Sequence, residues 1–386
     1  MNIEPSSRRG IAALAATLSL TAALALPGCK AVPPNTDDAA PLISTADPPL
    51  KPDAIINTVV FGSCAREDRE QPIWESILAA KGDVFLFIGD NVYVDVPDVP
   101  DAPEDFARSY QDLADKPGWQ QLVATTPVLA TWDDHDYGLN DAGKEWAMKD
   151  IAKQYFMDFY NVPDDAPMRT EHDGIYHART VGPEGQRVQF ILLDTRTFRD
   201  PLSRHPLGRE DRPDGGRYGP YTPNLAGQGT LLGDTQWEWL EEQLSQPADL
   251  RIVASSIQVV AYEHRWESWG NFPHERQRLY DLIRETQANG VVFISGDRHL
   301  IEISRDDEPN VPYPMWDFTS SGFNWGQREV RDPNRFRVGP VLRQPNFGVI
   351  KIDWDASPAT LTMQGVSGEG EALMESVVSL ETLRVD

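Results

Sequence analysis

Val84-Phe85-Leu86-Phe87-Ile88 runs directly into Gly89-Asp90-Asn91-Val92-Tyr93. Five bulky apolar residues in a row read as a strand buried on both faces, the kind found in parallel sheets covered by helices. The same pattern recurs. Residues 58–61 precede Gly62-Ser63-Cys64, 128–131 precede Trp132-Asp133-Asp134-His135-Asp136, and 188–193 end in Asp194-Thr195-Arg196. Residues 291–295 precede Gly296-Asp297-Arg298-His299, and 251–255 form a further run. Amphipathic stretches at 72–80, 146–160, 234–246 and 274–289 separate these runs and read as helices. Pro72 and Asp234 suit helix starts, and Gly290 suits a position past an end. Alternating strands and helices predict an α/β protein. Runs at 316–319, 347–353 and 360–363 add strands without intervening helices, which predicts a second, mixed sheet packed on the first.

In open α/β sheets, ligand sites lie beyond the carboxyl ends of the strands. Five strand ends here deliver Cys, Asp, Tyr, His and Arg to one edge. Taken singly, Asp90 or Asp297 after a glycine is a turn or cap residue, and Cys64 is a small buried hydrophobe. His135 and His299 singly are ordinary hydrogen-bonded histidines. Coincidence at successive strand ends is what argues for a site. Carboxylates gathered at one edge repel one another unless a cation neutralises them. Cys64, Tyr93 and His299 supply donors for a transition metal, whereas Asp90, Asp134 and Asn140 suit a hard ion such as Ca²⁺. Two such ions would bind a phosphate and turn bound water into hydroxide at neutral pH, which predicts metal-assisted phosphoester hydrolysis. His135, flanked by acids, is then placed to protonate the leaving alcohol or to hydrogen-bond the transferring phosphoryl group. Arg196 or Arg298 would pair with a phosphate oxygen.

These motifs, together with Ser255-Ser256-Ile257-Gln258, resemble in order the motifs of PhoD-type alkaline phosphatases within the metallophosphoesterase superfamily. The resemblance runs from about Phe61 to Asp353. It implies two packed mixed β-sheets flanked by helices in a four-layer sandwich, and a purple-acid-phosphatase-like centre of Fe³⁺ and Ca²⁺, open to divalent substitution. Carried across by motif, Cys64, Asp90 and Tyr93 hold the iron with Asp297 or His299. Asp90 bridges, and Asp134 ligates the second metal, with Asn140 a further ligand. Substrate preference would sit in loops 199–230 and 262–272, the second of which combines aromatics with His264 and Arg265. One alternative is a phospholipase or phosphodiesterase using the same centre. Another is a non-catalytic, metal-stabilised binding lipoprotein.

The 386 residues hold 35 Lys+Arg against 60 Asp+Glu, a formal charge of −25. Duplex nucleic acid is excluded as a partner, because phosphate-backbone contacts need clustered cations. With 40% hydrophobic and 25% charged residues the chain is globular in composition, so the acidity does not signal disorder. Cys29 and Cys64 are too few for a disulfide framework. Arg8-Arg9 precede an uncharged apolar run over 11–26 and then Leu26-Pro27-Gly28-Cys29. That run is too short for a span and reads as an export signal. Residues 7–11 resemble a twin-arginine signal and 26–29 a lipobox, which would make Cys29 a lipidated first residue; the alternative is plain periplasmic secretion. The expected organisation is a signal over 1–28, a Pro/Asp-rich tether over 29–55 and a catalytic domain over 56–386. The expected location is the bacterial periplasm or cell envelope, with membrane contact only through a lipid on Cys29.

Overall fold

The computed structural model describes residues 49–94, 102–225, 227–326 and 333–385; the expected leader and most of the expected tether lie outside them. The strands are β1 Thr58–Gly62, β2 Val84–Ile88, β3 Val128–Thr131, β4 His177–Val181, β5 Val188–Leu192, β6 Leu250–Ser255, β7 Val291–Ser295, β8 Ile301–Asp306, β9 Met315–Ser320, β10 Arg337–Leu342, β11 Asn346–Asp353, β12 Thr360–Ser367 and β13 Ala372–Ser379. The α-helices are α1 Ile73–Ala79, α2 Ala102–Ala114, α3 Pro117–Val123, α4 Asp134–Tyr137, α5 Lys149–Phe159, α6 Pro167–Thr170, α7 Gly233–Leu244 and α8 Pro273–Glu285.

These strands form two mixed sheets, ordered β13-β12-β11-β1-β2-β3 and β10-β8-β9-β7-β6-β5-β4. Strands β1, β2 and β3 run parallel in the first, and β5, β6, β7 and β9 in the second. The apolar runs predict these parallel strands because each is buried on both faces. In β2, Val84, Leu86 and Ile88 join the core between the sheets, while Phe85 and Phe87 face a second core built with α1, α3 and α5. In β1, Val59 and Phe61 take the first side and Val60 the other. Phe61 meets Phe318 of β9 edge to face at 5.0 Å between ring centres, so the two sheets touch through aromatic contact. Helices α7 and α8 send Trp237, Leu240, Leu279, Tyr280 and Ile283 into the core shared with the second sheet.

One expectation needs correction. The late strands do not form a second sheet of their own. β11 pairs antiparallel with β1, Thr58 opposite Lys351, and extends the first sheet through β12 and β13. β9 instead runs beside β7 in the second sheet. Two sheets, each with a parallel centre and antiparallel margins, result. This brings the carboxyl ends of β1, β2, β3, β5, β6 and β7 to one edge of the sandwich.

Candidate metal centre

The strand ends approach so closely that backbone groups touch. Cys64 N–H donates to Gly89 O at 3.2 Å, and Gly296 N–H to Ser256 O at 3.0 Å. Gly89 has φ 113°, and a Cβ there would lie 2.7 Å from Asp133 Cβ and 3.0 Å from Ser256 Cβ. Only glycine permits both that conformation and that approach. Several side chains that follow are held in left-handed backbone. Cys64, Asp90, Asp141, Asp297 and His299 have φ of 61°, 49°, 56°, 66° and 54°. Strain of this kind persists where surrounding structure enforces it, and it gathers at functional sites.

One half of the cluster has mixed donors. Asp90 Oδ2 lies 3.3 Å from Cys64 Sγ and accepts from Tyr93 OH at 3.2 Å; that phenol oxygen is 3.3 Å from His299 Nε2. The segment carrying Cys64 also orders Tyr93: Glu67 accepts the Tyr93 N–H at 2.9 Å, and the Arg66 guanidinium lies 4.9 Å over the phenol ring. Trp325 packs on His299 with ring centres 3.9 Å apart. The other half is carboxylate. Asp133, Asp134 and Asp297 each place an oxygen within 4.8 Å of the others, and Asp90 and Asp134 form a second such set with His135. His135 donates its backbone N–H to Asp90 Oδ1 at 3.3 Å, and its ring lies on Tyr93 at 4.2 Å. Asp90 thus touches both halves.

The residues present fit bound cations. Asp133 Oδ2, Asp134 Oδ1 and Asp297 Oδ2 are buried and lack a hydrogen-bond partner, an arrangement that costs heavily unless an ion completes it. Titration agrees. Burial, then Asp90 and Asp297, raises the Cys64 thiol, and burial raises Tyr93 and Asp90. Asp297 is pushed up to about 7 by burial against the opposing pull of Arg298. His299 is pulled down to about 3 by burial and Arg298, leaving a neutral imidazole with a lone pair to offer. Asp134 alone stays below the usual carboxylate range: burial raises it, but His135, Arg196 and the Asp141 N–H outweigh that.

Of the ten residues singled out in the sequence, eight gather here: Cys64, Asp90, Tyr93, Asp134, His135, Asp297, Arg298 and His299. Arg298 is mostly buried, 3.7 Å from Asp297 Oδ2 and 5.0 Å over the Trp266 ring. Asn140 is exposed in the turn after α4. Its neighbour Asp141 faces the cluster instead. Asp141 donates its N–H to Asp134 Oδ2 at 2.6 Å, and its carboxylate sits with Asp134 and Glu267. Arg196 requires correction. Its guanidinium is wholly buried and committed to Asp133 Oδ1 at 2.6 Å through Nε, to Glu267 Oε2 at 2.8 Å and to the Ala142 carbonyl. It braces the acids, and each of its three guanidinium nitrogens already donates within the protein. Gln258 is likewise spoken for, donating to Glu302 and Thr319 at 2.8 Å each.

Sequence reasoning passed over Asp133, Asp141 and Glu267 as members of the cluster. Asp133 was visible in the run Trp132-Asp133-Asp134-His135-Asp136, but nothing in that run distinguishes it from Asp136. Asp136 has a different duty: it accepts from the backbone N–H groups of Asn91, Val92 and Asp133, fixing the β2 and β3 ends together. The two loops expected at the rim pack on each other through Gly219 N–H to His264 O and Tyr221 N–H to Arg265 O. They reach the acids where Tyr221 OH donates to Asp141 Oδ2.

A family model for PhoD-like phosphatases matches residues 59–334. Alkaline phosphatase D of Bacillus subtilis (strain 168) is 24% identical over 220 residues, which cover 51% of this chain and 35% of that protein; the chain thus spans about a third of that relative. Among solved structures, one titled as the structure of PhoD superposes with TM-score 0.60 at 18% identity, covering 85% of this chain and 69% of the other. Purple acid phosphatase PPD1 from yellow lupin (Lupinus luteus) seeds superposes with TM-score 0.56 at 13% identity, covering 85% and 54%. At these identities the two structures speak for the fold.

Proposed function

Because the chain belongs to the PhoD-like phosphatase family, we propose that it is a metal-dependent phosphoester hydrolase acting at this strand-end cluster. The three buried carboxylate oxygens without a hydrogen-bond partner carry the reading. Cys64, Asp90, Tyr93 and His299 would hold a transition metal, with iron the expected ion. Asp90, Asp134 and Asp297, joined by Asp133, would hold a harder ion, with calcium expected. Bound there, the ions supply Lewis acidity that activates water and neutralises a phosphate.

The chain's own residues do the rest. Asp90 joins the two halves and fixes their spacing. Arg196 works against the upward push of burial on the Asp133 carboxyl and holds it in place, so that only Asp133 Oδ2 remains available to an ion. Arg298, backed by Trp266 and oriented by Asp297, offers its guanidinium to phosphate oxygens. His135 is half-buried with its ring laid on Tyr93, and it protonates the departing alkoxide. Burial of these groups keeps bulk water from screening their charges.

Metal analysis of the purified protein, with turnover of a nitrophenyl phosphate monoester and the corresponding diester, tests the reading. Metal-loaded protein inert to both would overturn it. Replacing His135 by Ala is expected to leave metal content intact and lower turnover about 100-fold; unchanged turnover would remove His135 from the mechanism. We also propose export, on the strength of residues 7–29. The mass of the mature N-terminus in cells tests this, since an uncleaved residue 1 contradicts it. Among the described residues no helix is long and apolar enough to cross a membrane.

A further inference from the structure

Loops 199–230 and 262–272 cross as a small platform beside the carboxylate half of the cluster. The segment 219–222 lies in the middle and bonds to both neighbours. On one side His205 N–H donates to Pro220 O at 2.8 Å and Thr222 N–H to Ser203 O at 2.9 Å; on the other, Gly219 N–H donates to His264 O at 2.7 Å and Tyr221 N–H to Arg265 O at 3.1 Å. A Cβ at Gly219 would lie 2.2 Å from Arg265 O, so this approach needs glycine. Tyr221 is buried, and its hydroxyl donates to Asp141 Oδ2, which ties the platform to the acids.

This platform carries arginines on aromatic faces. The Arg204 guanidinium stands 5.2 Å over the Tyr221 ring, and its Nη2 donates to the Tyr221 hydroxyl at 3.4 Å. Arg265 and Arg217 stand 5.1 and 5.8 Å over the ring of Tyr218. All three arginines are exposed. Among the described residues Arg204 and Arg217 have no acid within ion-pair distance, and Arg265 reaches only Asp214, at 4.0 Å. A guanidinium held by a ring keeps its N–H edges for an oxyanion. Loop 199–230 has five arginines against four acids in a chain whose net charge is −25. Positive charge is thus concentrated where an anionic substrate would arrive. Arg204 connects to Asp134 in three steps, through the Tyr221 hydroxyl and then Asp141, none longer than 4.8 Å. A phosphate on the metal cluster and a second on Arg204 can therefore belong to one small molecule.

On the basis of the hydrolase reading above, we propose that Arg204, flanked by Arg265 and Arg217, forms a second anion subsite of the same active site, and that the preferred substrates are phosphoesters whose alcohol portion carries a further phosphate. The cluster and Arg298 receive the phosphate to be cleaved. Arg204 receives the one that stays on the leaving alcohol. A phosphate suits this rim better than a carboxylate, because its three terminal oxygens accept from guanidinium edges on more than one side.

Phosphate release from butane-1,4-diol bisphosphate and from butyl phosphate by the metal-loaded protein tests this. The kcat/KM for the bisphosphate is expected to exceed that for the monoester by about 10-fold or more. In Arg204→Met combined with Arg265→Met the ratio should fall to what two equivalent phosphates alone supply. Butane-1,4-bisphosphonate should likewise inhibit the native protein more strongly than butylphosphonate, and that gap should close in the variant and narrow with added salt. Bound metal should be equal in the two proteins, which separates a lost subsite from a lost cluster. Equal efficiency toward both substrates in the native protein, or a bisphosphate preference that survives in the variant, overturns the subsite and leaves the hydrolase standing. Metal-loaded protein inert to both substrates overturns the hydrolase and the subsite together.

Discussion

Two groups of buried acids lie a few residues apart in this site and are treated oppositely. In one, Asp133 Oδ1 and Glu267 face Arg196 and Arg199, with Arg196 Nη1 at 2.8 Å from Glu267 Oε2 and Arg199 Nε at 3.0 Å from Glu267 Oε1. In the other, Asp133 Oδ2, Asp134 Oδ1 and Asp297 Oδ2 have no hydrogen-bond donor, and Arg298 stands off from Asp297 Oδ2 at 3.7 Å. The fold supplies close guanidinium partners to the first group, whereas in the second the direct ion pair with a guanidinium, among the described residues, is the longer one from Arg298 to Asp297. The difference separates scaffold from site: an acid closely paired with an arginine is finished when the chain folds, whereas a buried carboxylate oxygen without a hydrogen-bond donor still requires a cation. Asp133 belongs to both groups through its two oxygens, which is how the brace aims the site.

Removing the brace should produce the largest effect. Arg196→Met leaves Asp133 and Glu267 buried without their shared partner and should cost about 3–5 kcal/mol in denaturant unfolding. A loss under about 1 kcal/mol would mean the two groups do not differ as described. On the open side the sign reverses. A chelator should lower the melting temperature of the loaded protein, by the equivalent of about 4 kcal/mol where free ion stood at a thousand times its dissociation constant. In Asp134→Asn that drop should shrink, because the metal-free form of the variant carries less repulsion. An equal drop in both proteins would break the contrast. A smaller effect lies in the backbone that joins the groups: Gly89→Ala at φ 113° should cost about 1–3 kcal/mol and reduce bound metal, since the new methyl meets Asp133. The smallest belongs to Asn140→Ala, which should change stability by less than about 0.5 kcal/mol and leave metal content untouched. Loss of metal in that variant would restore Asn140 as a ligand.

Legibility in the sequence followed the number of buried faces. β2, β3 and β7 were readable because β2 is apolar throughout and β3 and β7 are apolar up to a closing Thr131 and Ser295. β4, with the sequence His-Ala-Arg-Thr-Val, and β10, with Gly339 and Pro340 inside it, lie at sheet margins and keep no such pattern. α2 was legible and overlooked: Phe106, Tyr110 and Leu113 fall at helical spacing and are buried. The metal cluster was visible in outline because strand ends converge in any parallel sheet. Which acid does what was not visible, since that depends on contacts between distant segments. Arg196 meets Glu267 across 71 residues, and the choice between Asn140 and Asp141 turns on the local twist of one turn.

The left-handed backbone at Cys64, Asp90, Asp297 and His299 has a consequence for evolution. Each of these residues holds a conformation that glycine adopts freely, at a cost of order 1–3 kcal/mol apiece. Mutation to glycine at any of them would therefore tend to stabilise the metal-free chain while removing a donor. A descendant released from selection for hydrolysis would drift downhill toward glycine at these four positions before its core changed. Their identity in any relative is accordingly a more sensitive record of retained activity than the preservation of the fold.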